Sequence, residues 1–356
     1  MTTTSLPNNF RVPDAYHDAV FNFLLGFRNG TVDFQRGHLR LSTSRFCNPL
    51  VFAYCALITA GLISALGLLH CLLKADAPRP LFTWHFANLA VCDVFKCAVV
   101  LPVTLVNILY HNWRLGQIVC YLFPMMQEIP LHVSGWTFYF ILVQHYQFLQ
   151  DPGKALQTLK PKVLIIWLIS FLMVLHYAYY TLYIDLGSVL NHQFQGTGIC
   201  GTTGKGKVYE YLRGIFVILC LLPLILSFKK FKKVDEQLQI LELSRVDTSY
   251  VVKTPSSTKQ SRWFECLESL ESPSKIVIQR TFLDIRKERL SHKYFEIMLI
   301  SHAVSLVPLL CFRMYLIFTD QTSLENHWII FGITTWIAFL PTCTTSLLYA
   351  SWQLSI

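Results

Sequence analysis

Three ionisable side chains, Asp93, Lys96 and Glu128, lie inside long apolar stretches of this 356-residue chain. A charge in such a place is costly to desolvate, and it is normally held by pairing or by lining a path for an ion. Histidines 85, 132, 145, 176 and 302 also fall in apolar stretches, and they are not spaced as metal ligands. Neither an HExxH helix nor a GxSxG elbow is present. Eleven cysteines are scattered along the chain without a CxxC pair or a zinc spacing. Most fall in apolar segments, where a cysteine acts as a small packing residue. The chemistry on offer is that of paired charges and polar contacts inside an apolar body. No enzyme activity, resident cofactor or structural metal is expected.

The elements that must position these residues follow from composition. The chain is 53% hydrophobic and only 14% charged, whereas soluble domains carry about 25% charge. So much apolar surface implies a polytopic membrane protein in contact with the lipid bilayer. A crossing helix needs about 20 apolar residues, and seven stretches qualify: 48–73, 82–110, 118–149, 162–184, 208–231, 291–318 and 328–351. The net charge of +9 does not point to nucleic acid, because most basic residues sit in loops on one side. Lys74 and Arg79 lie in the first loop, and Lys154, Lys160 and Lys162 in the third. The fifth opens with Lys229, Lys230, Lys232 and Lys233 and closes with Arg286, Lys287, Arg289 and Lys293. The even loops are poorer in Lys and Arg, so the odd loops are expected in the cytoplasm. The expected fold is an all-α membrane protein, a bundle of seven transmembrane helices with an extracellular N-terminus and a cytoplasmic C-terminus. Residues 1–47 are expected to form an outer tail with a glycosylation sequon at Asn29, 48–351 the membrane domain, 234–290 a long cytoplasmic loop within it, and 352–356 a very short cytoplasmic tail.

One stretch carries a resemblance. NLAVCD at 88–93 is followed by an apolar run, then Trp113, Gly116 and Cys120, then a second apolar run ending in Gln144-His145-Tyr146. This pattern resembles the second and third helices of the rhodopsin-like G-protein-coupled receptors. Trp167 resembles the tryptophan of their fourth helix, Pro102, Pro223 and Pro308 the prolines of the second, fifth and sixth, and Tyr349 the tyrosine near the end of the seventh. The resemblance implies a disulfide between Cys120 and Cys200, which would pin an outer loop over the mouth of a ligand cavity. It also implies a plasma-membrane receptor that transduces an extracellular ligand to a heterotrimeric G protein or arrestin.

The departures gather at the positions that switch such receptors. The family's Asp-Arg-Tyr is Gln144-His145-Tyr146 here. Its aromatic and tryptophan positions before Pro308 are His302 and Leu306, and the Asn-Pro before Tyr349 is Thr345-Ser346. Ser64 or Ala65 stands near the asparagine of the first helix. A divergent receptor with a non-standard switch is therefore expected. Asp93 and Ser134 match an acid and a serine that hold a sodium ion in the family, but Lys96 lies three residues after Asp93 on the same helix face. Lys96 is expected to pair with Asp93 or Glu128 and to weaken or replace sodium.

For the ligand, Gln127 stands where amine receptors carry an aspartate, and 328–351 has no lysine for a retinal Schiff base. Gln127, Glu128, His132 and Arg313 would face or border the cavity, with Arg313 able to meet a carboxylate or an amide terminus. Together they favour a polar ligand, and a neuropeptide or peptide hormone fits best. Two other functions compete: a non-signalling decoy, scavenger or trafficking protein of the same fold, and a transporter or channel. The last would want several intramembrane acids or an internal repeat, and neither is evident.

Overall fold

A computed structural model describes residues 39–74, 80–151, 160–189, 197–202, 207–251, 284–318 and 327–355. The sequon at Asn29, most of the expected outer tail, and the serine and threonine clusters between 254 and 274 lie outside the described residues. The described chain is almost wholly helical. Helix α1 is Cys47–Lys74. Helix α2 starts as Pro80–Phe95, passes through a π turn at Lys96–Val100 and resumes as Leu101–Leu109 with Pro102 in its first turn. Helix α3 is Gly116–Gln150. Helix α4 is Lys160–Val174, continued by His176–Tyr180. A two-stranded antiparallel hairpin follows, β1 (Thr181–Asp185) and β2 (Gly198–Thr202). Helix α5 is Lys207–Val251, α6 is Ile285–Phe318, and α7 is His327–Phe339 resumed as Pro341–Ser355.

Six of these helices, α1, α2, α4, α5, α6 and α7, are long and apolar enough to cross a membrane. Helix α1 shows how such a helix divides its surface. Leu50, Tyr54, Leu57, Gly61, Ala65, Leu68 and Leu72 recur every three or four residues and form its buried stripe. Phe52, Ile63, Leu66 and Leu73 point outward and are exposed, as are Leu164, Ile165, Leu168 and Leu172 on α4. Water would not tolerate so continuous an apolar perimeter; hydrocarbon would. Helix α3 differs because it runs through the middle, against α2, α4 and α5. Its buried residues include Gln127, Glu128, His132, Ser134, Thr137, Gln144 and His145. Shielded by its neighbours, it can carry polar groups that a lipid-facing helix could not.

Hydrogen bonds and one close approach fix the helix pairs. Tyr54 donates to the carbonyl of Gly332 at 2.8 Å, and Trp336 Nε1 to that of Ala53 at 2.9 Å, joining α1 to α7. Ser64 donates to the carbonyl of Thr342 at 3.2 Å, so it tethers α1 to α7 from the region where the family carries an asparagine. Asn88 of α2 donates to Thr137 Oγ1 of α3 and accepts from Trp167 Nε1 of α4, at 2.8 and 2.7 Å. At one end of the bundle Cys120 is bonded to Cys200, the bridge expected from the resemblance. Trp113 and Gly198 exchange two backbone hydrogen bonds of 2.9 Å, and the Trp113 indole donates to the carbonyl of Gly116, whose φ of +80° suits glycine. The hairpin is thus tied to α3 covalently and to the turn before it by backbone pairing.

Two expected boundaries differ. Residue 231 does not end the fifth span: α5 continues to Val251, and Val234, Leu238 and Leu241 pack with Leu149 and Ile285 in a small apolar cluster beyond the main core. The segment expected to loop from 234 therefore begins as helix. Nor is 352 the start of a tail, because α7 runs to Ser355 and Trp352 is almost fully buried. Its indole donates to Ser291 Oγ of α6 at 3.1 Å.

A Cβ added at Gly61 would collide with Cys97 Sγ of α2 and crowd Thr342 of α7, whereas one at Gly67 would meet nothing within 4 Å. Gly61→Val should therefore lower stability by about 1–3 kcal/mol, with Gly67→Val near wild type. Thermal unfolding of the purified chain checks this, and equal midpoints for the two variants would count against the close approach.

Candidate functional site

The polar column along α3 gathers most of the residues singled out in the sequence, in three groups. The first lies at the disulfide-bearing end. Gln127 donates to Thr104 Oγ1 of α2 at 2.9 Å. Glu128 and Arg313 of α6 form an ion pair of 2.5 Å, each about nine-tenths buried. His132, one helical turn beyond Glu128, is buried, and its Nδ1 has no hydrogen-bond partner among the described residues. Nearby, the His176 ring at the end of α4 stacks on Phe216 of α5 at 3.4 Å. The structure thus brings Gln127, Glu128, His132 and Arg313 into one region. It does not leave Arg313 idle, because its guanidinium is already matched by Glu128.

The second group sits at mid-helix. Lys96 Nζ donates to Asp93 Oδ1 at 2.8 Å and to Ser134 Oγ at 2.7 Å, with both charged side chains about 4% exposed. Of the two acids open to Lys96 in the sequence, the structure selects Asp93, since Glu128 is taken by Arg313. Lys96 opens the π turn of α2, an irregularity that recurs at functional positions in helices. The residues present do not fit a sodium ion. The oxygens of Asp93 and Ser134 that would ligate it face an ammonium nitrogen. A second cation about 4 Å from that nitrogen would be repelled by about 4 kcal/mol even at an effective dielectric of 20.

The third group lies at the opposite end. His145 Nε2 is 3.1 Å from Glu288 Oε2 of α6, both buried. Around His145 stand Phe82, Phe295 and His292, with ring centroids 5.8, 5.5 and 5.9 Å away, and His292 stacks on Phe231 of α5 at 3.9 Å. Tyr349 and Trp352 of α7 pack on Phe86, at 4.6 and 5.7 Å, and close this end. Gln144 is fully buried, while Tyr146 is half-buried beneath Lys230, whose Nζ is 3.6 Å from the ring centroid. His302 lies beside Phe138 at 5.2 Å, and Leu306, Thr345 and Ser346 are buried. Pro308 is inside α6.

Three contributors were missed in the sequence. Glu288 sits in the run Arg286-Lys287-Glu288-Arg289, where its acid reads as part of a solvated basic surface. Pro341 follows the interruption of α7 at Leu340, ahead of the Thr345-Ser346 pair. Trp352 falls in the segment that the sequence reads as a short tail. The proline was the most accessible signal, since it cannot continue a helix without losing a hydrogen bond.

Removing one partner of the buried Glu128–Arg313 pair leaves a charge without compensation. Glu128→Met or Arg313→Met should each cost about 3–5 kcal/mol, with most of the loss recovered in the double variant. Thermal unfolding of all three would test this. Single variants as stable as wild type would show that the pair does not hold α3 to α6.

A model described as the 7 transmembrane receptor (rhodopsin family) matches residues 68–349, well over half of the chain. Among curated proteins, a neuropeptide Y receptor type 2 of Gallus gallus is 36% identical over 98 residues, which is 28% of this chain and 26% of that protein. The Homo sapiens and Mus musculus proteins of the same name are 32% and 31% identical over the same length and shares. The aligned part is thus about a quarter of each relative. With the membrane-length helices, the Cys120–Cys200 bridge and the family match over the bundle, the chain belongs to the rhodopsin family of seven-transmembrane receptors, a multi-pass membrane family of receptors and not of enzymes.

Proposed function

We propose that this chain is a plasma-membrane receptor for a peptide, most simply a neuropeptide or peptide hormone, that signals to a heterotrimeric G protein. The membrane is crossed seven times, α3 included, with the N-terminus and the glycosylated Asn29 outside and the C-terminus inside. The disulfide-bearing end faces outward and the end holding His145 faces the cytoplasm. The basic residues of the odd loops support this orientation. The peptide ligand rests on the polar set Gln127, Glu128, His132 and Arg313, and on the partial likeness to receptors named for neuropeptide Y.

The observation that carries the reading is that α3 is joined to α6 at two levels, by the Glu128–Arg313 ion pair and by the polar contact of His145 with Glu288. A ligand that competes for Arg313 or Glu128 favours arrangements in which α6 is displaced. The same displacement parts His145 from Glu288 and opens the cytoplasmic end. Ligand binding then shifts a two-state population in proportion to its different affinity for the two states. The family's arginine is replaced by His145, yet a link from α3 to α6 persists at that place. Arrestin would meet the same opening, and the segment between α5 and α6 is the long cytoplasmic connection available to it.

A second function, a non-signalling decoy or scavenger, is favoured by one feature. The end holding His145 is filled by Phe82, Phe86, Phe295, Tyr349 and Trp352, and opening it would expose a large apolar surface. The deciding experiment is G-protein activation in cells, across all Gα classes and a neuropeptide panel, with surface delivery matched by an N-terminal tag. The wild type is expected to activate at least one class. Silence in the wild type with activity in a Gln144→Asp/His145→Arg variant would favour the decoy. A Glu288→Gln variant, which weakens the inner pair, is expected to raise basal activation several-fold, and unchanged basal activity would remove that pair from the switch.

A further inference from the structure

We propose that Lys96 is the resident cation of an interior cation site, so that this chain neither binds sodium there nor is modulated by it, and that removing Lys96 opens the site to sodium. The proposal rests on the placement of three side chains and not on what the receptor binds or whether it signals.

The site holds two oxygen-bearing side chains of the kind that ligate a monovalent cation. Asp93 offers a carboxylate and Ser134 a hydroxyl, from two helices, both nearly inaccessible to solvent. A lone carboxylate in such a place is expensive, because the bundle interior supplies no bulk water. Something positive must sit against it. In this chain that group is the Lys96 ammonium, 2.8 Å from the carboxylate and 2.7 Å from the hydroxyl. Those are strong charge-assisted hydrogen bonds, and they use the oxygens a free cation would need.

The surroundings agree with a site already filled. Cys92 Sγ lies 3.5 Å from the carbonyl of Pro130 and 3.8 Å from Ser134 Oγ, so it packs α2 onto α3 on the flank of the pair. Cys97, next to Lys96, is fully buried where Gly61 lets α1 approach. Lys96 begins the π turn, so the ammonium is tethered at the point where α2 departs from regular winding. A tethered cation differs from a diffusible one in a way that can be measured. It cannot leave, and it joins α2 to α3 at every sodium concentration.

Thermal unfolding of the full purified chain tests this in sodium chloride against choline chloride at equal ionic strength, from low to half-molar salt. A ligand that binds only the folded state raises the midpoint as its concentration rises. The wild type is expected to give the same midpoint in both salts. Lys96→Met, which leaves Asp93 uncompensated, should unfold earlier in choline and recover by several degrees in sodium. A double variant, Asp93→Asn with Lys96→Met, should fold without a salt preference. A sodium-specific rise in the wild type overturns the proposal. If Lys96→Met folds and is blind to sodium, the claim that Lys96 fills a cation site is overturned as well. Should Lys96→Met not fold in either salt, Lys96→Gln, which keeps a hydrogen-bond donor, carries the same comparison, and the wild-type titration decides independently. Because the readout is unfolding, these outcomes are separate from any failure to signal.

Discussion

Charge burial without water is the constraint on which this structure depends. In a bundle meant for hydrocarbon, every polar group must find its partner inside the protein. Helix α3 answers much of this demand by reaching α2 or α6 at successive levels. Gln127 is bonded to α2, Glu128 to α6, Ser134 to the lysine of α2, Thr137 to Asn88, and His145 to α6. The helix that carries this polar column is packed against α2, α4 and α5. Burial in protein makes that burden tolerable, and the bonds it forms hold the bundle in register.

The apolar packing around this column is equally specific. Gly61 admits Cys97 between α1 and α2, while Tyr54 and Trp336 cross-link α1 and α7 through backbone carbonyls. At one end the bridge from Cys120 to Cys200 and the paired backbone of Trp113 and Gly198 fix the hairpin to α3. At the other, Phe82, Phe86, Phe295, Tyr349 and Trp352 interlock. Cores packed this closely tend to have discrete alternative arrangements and to resist smooth deformation. Helix α3 meets α6 at two levels, and aromatic packing surrounds one of them.

Several positions where the resemblance leads one to expect other residues still make contacts between helices. His145 faces an acid of α6, although it is not an arginine. Ser64 tethers α1 to α7, although it is not an asparagine. Pro341 follows the interruption of α7 at Leu340, ahead of the place where the family's Asn-Pro stands.

The sequence by itself determined the class of fold, the approximate positions of the helices and the family. Hydropathy over about 20 residues is a local property, and Asp93, Trp113, Cys120, Trp167 and the prolines stand at recognisable spacings. It also limited Lys96 to two partners by placing two acids within reach. Only the tertiary structure chose between them, because the choice required knowing that Arg313, far away in sequence, occupies Glu128. It alone paired His145 with Glu288 across α3 and α6, and it placed Trp352 in the core. Residue spacing along one helix fixes which side chains share a face, but not which face of another helix they meet. That depends on the rotation and crossing of separate helices, and these are settled by packing.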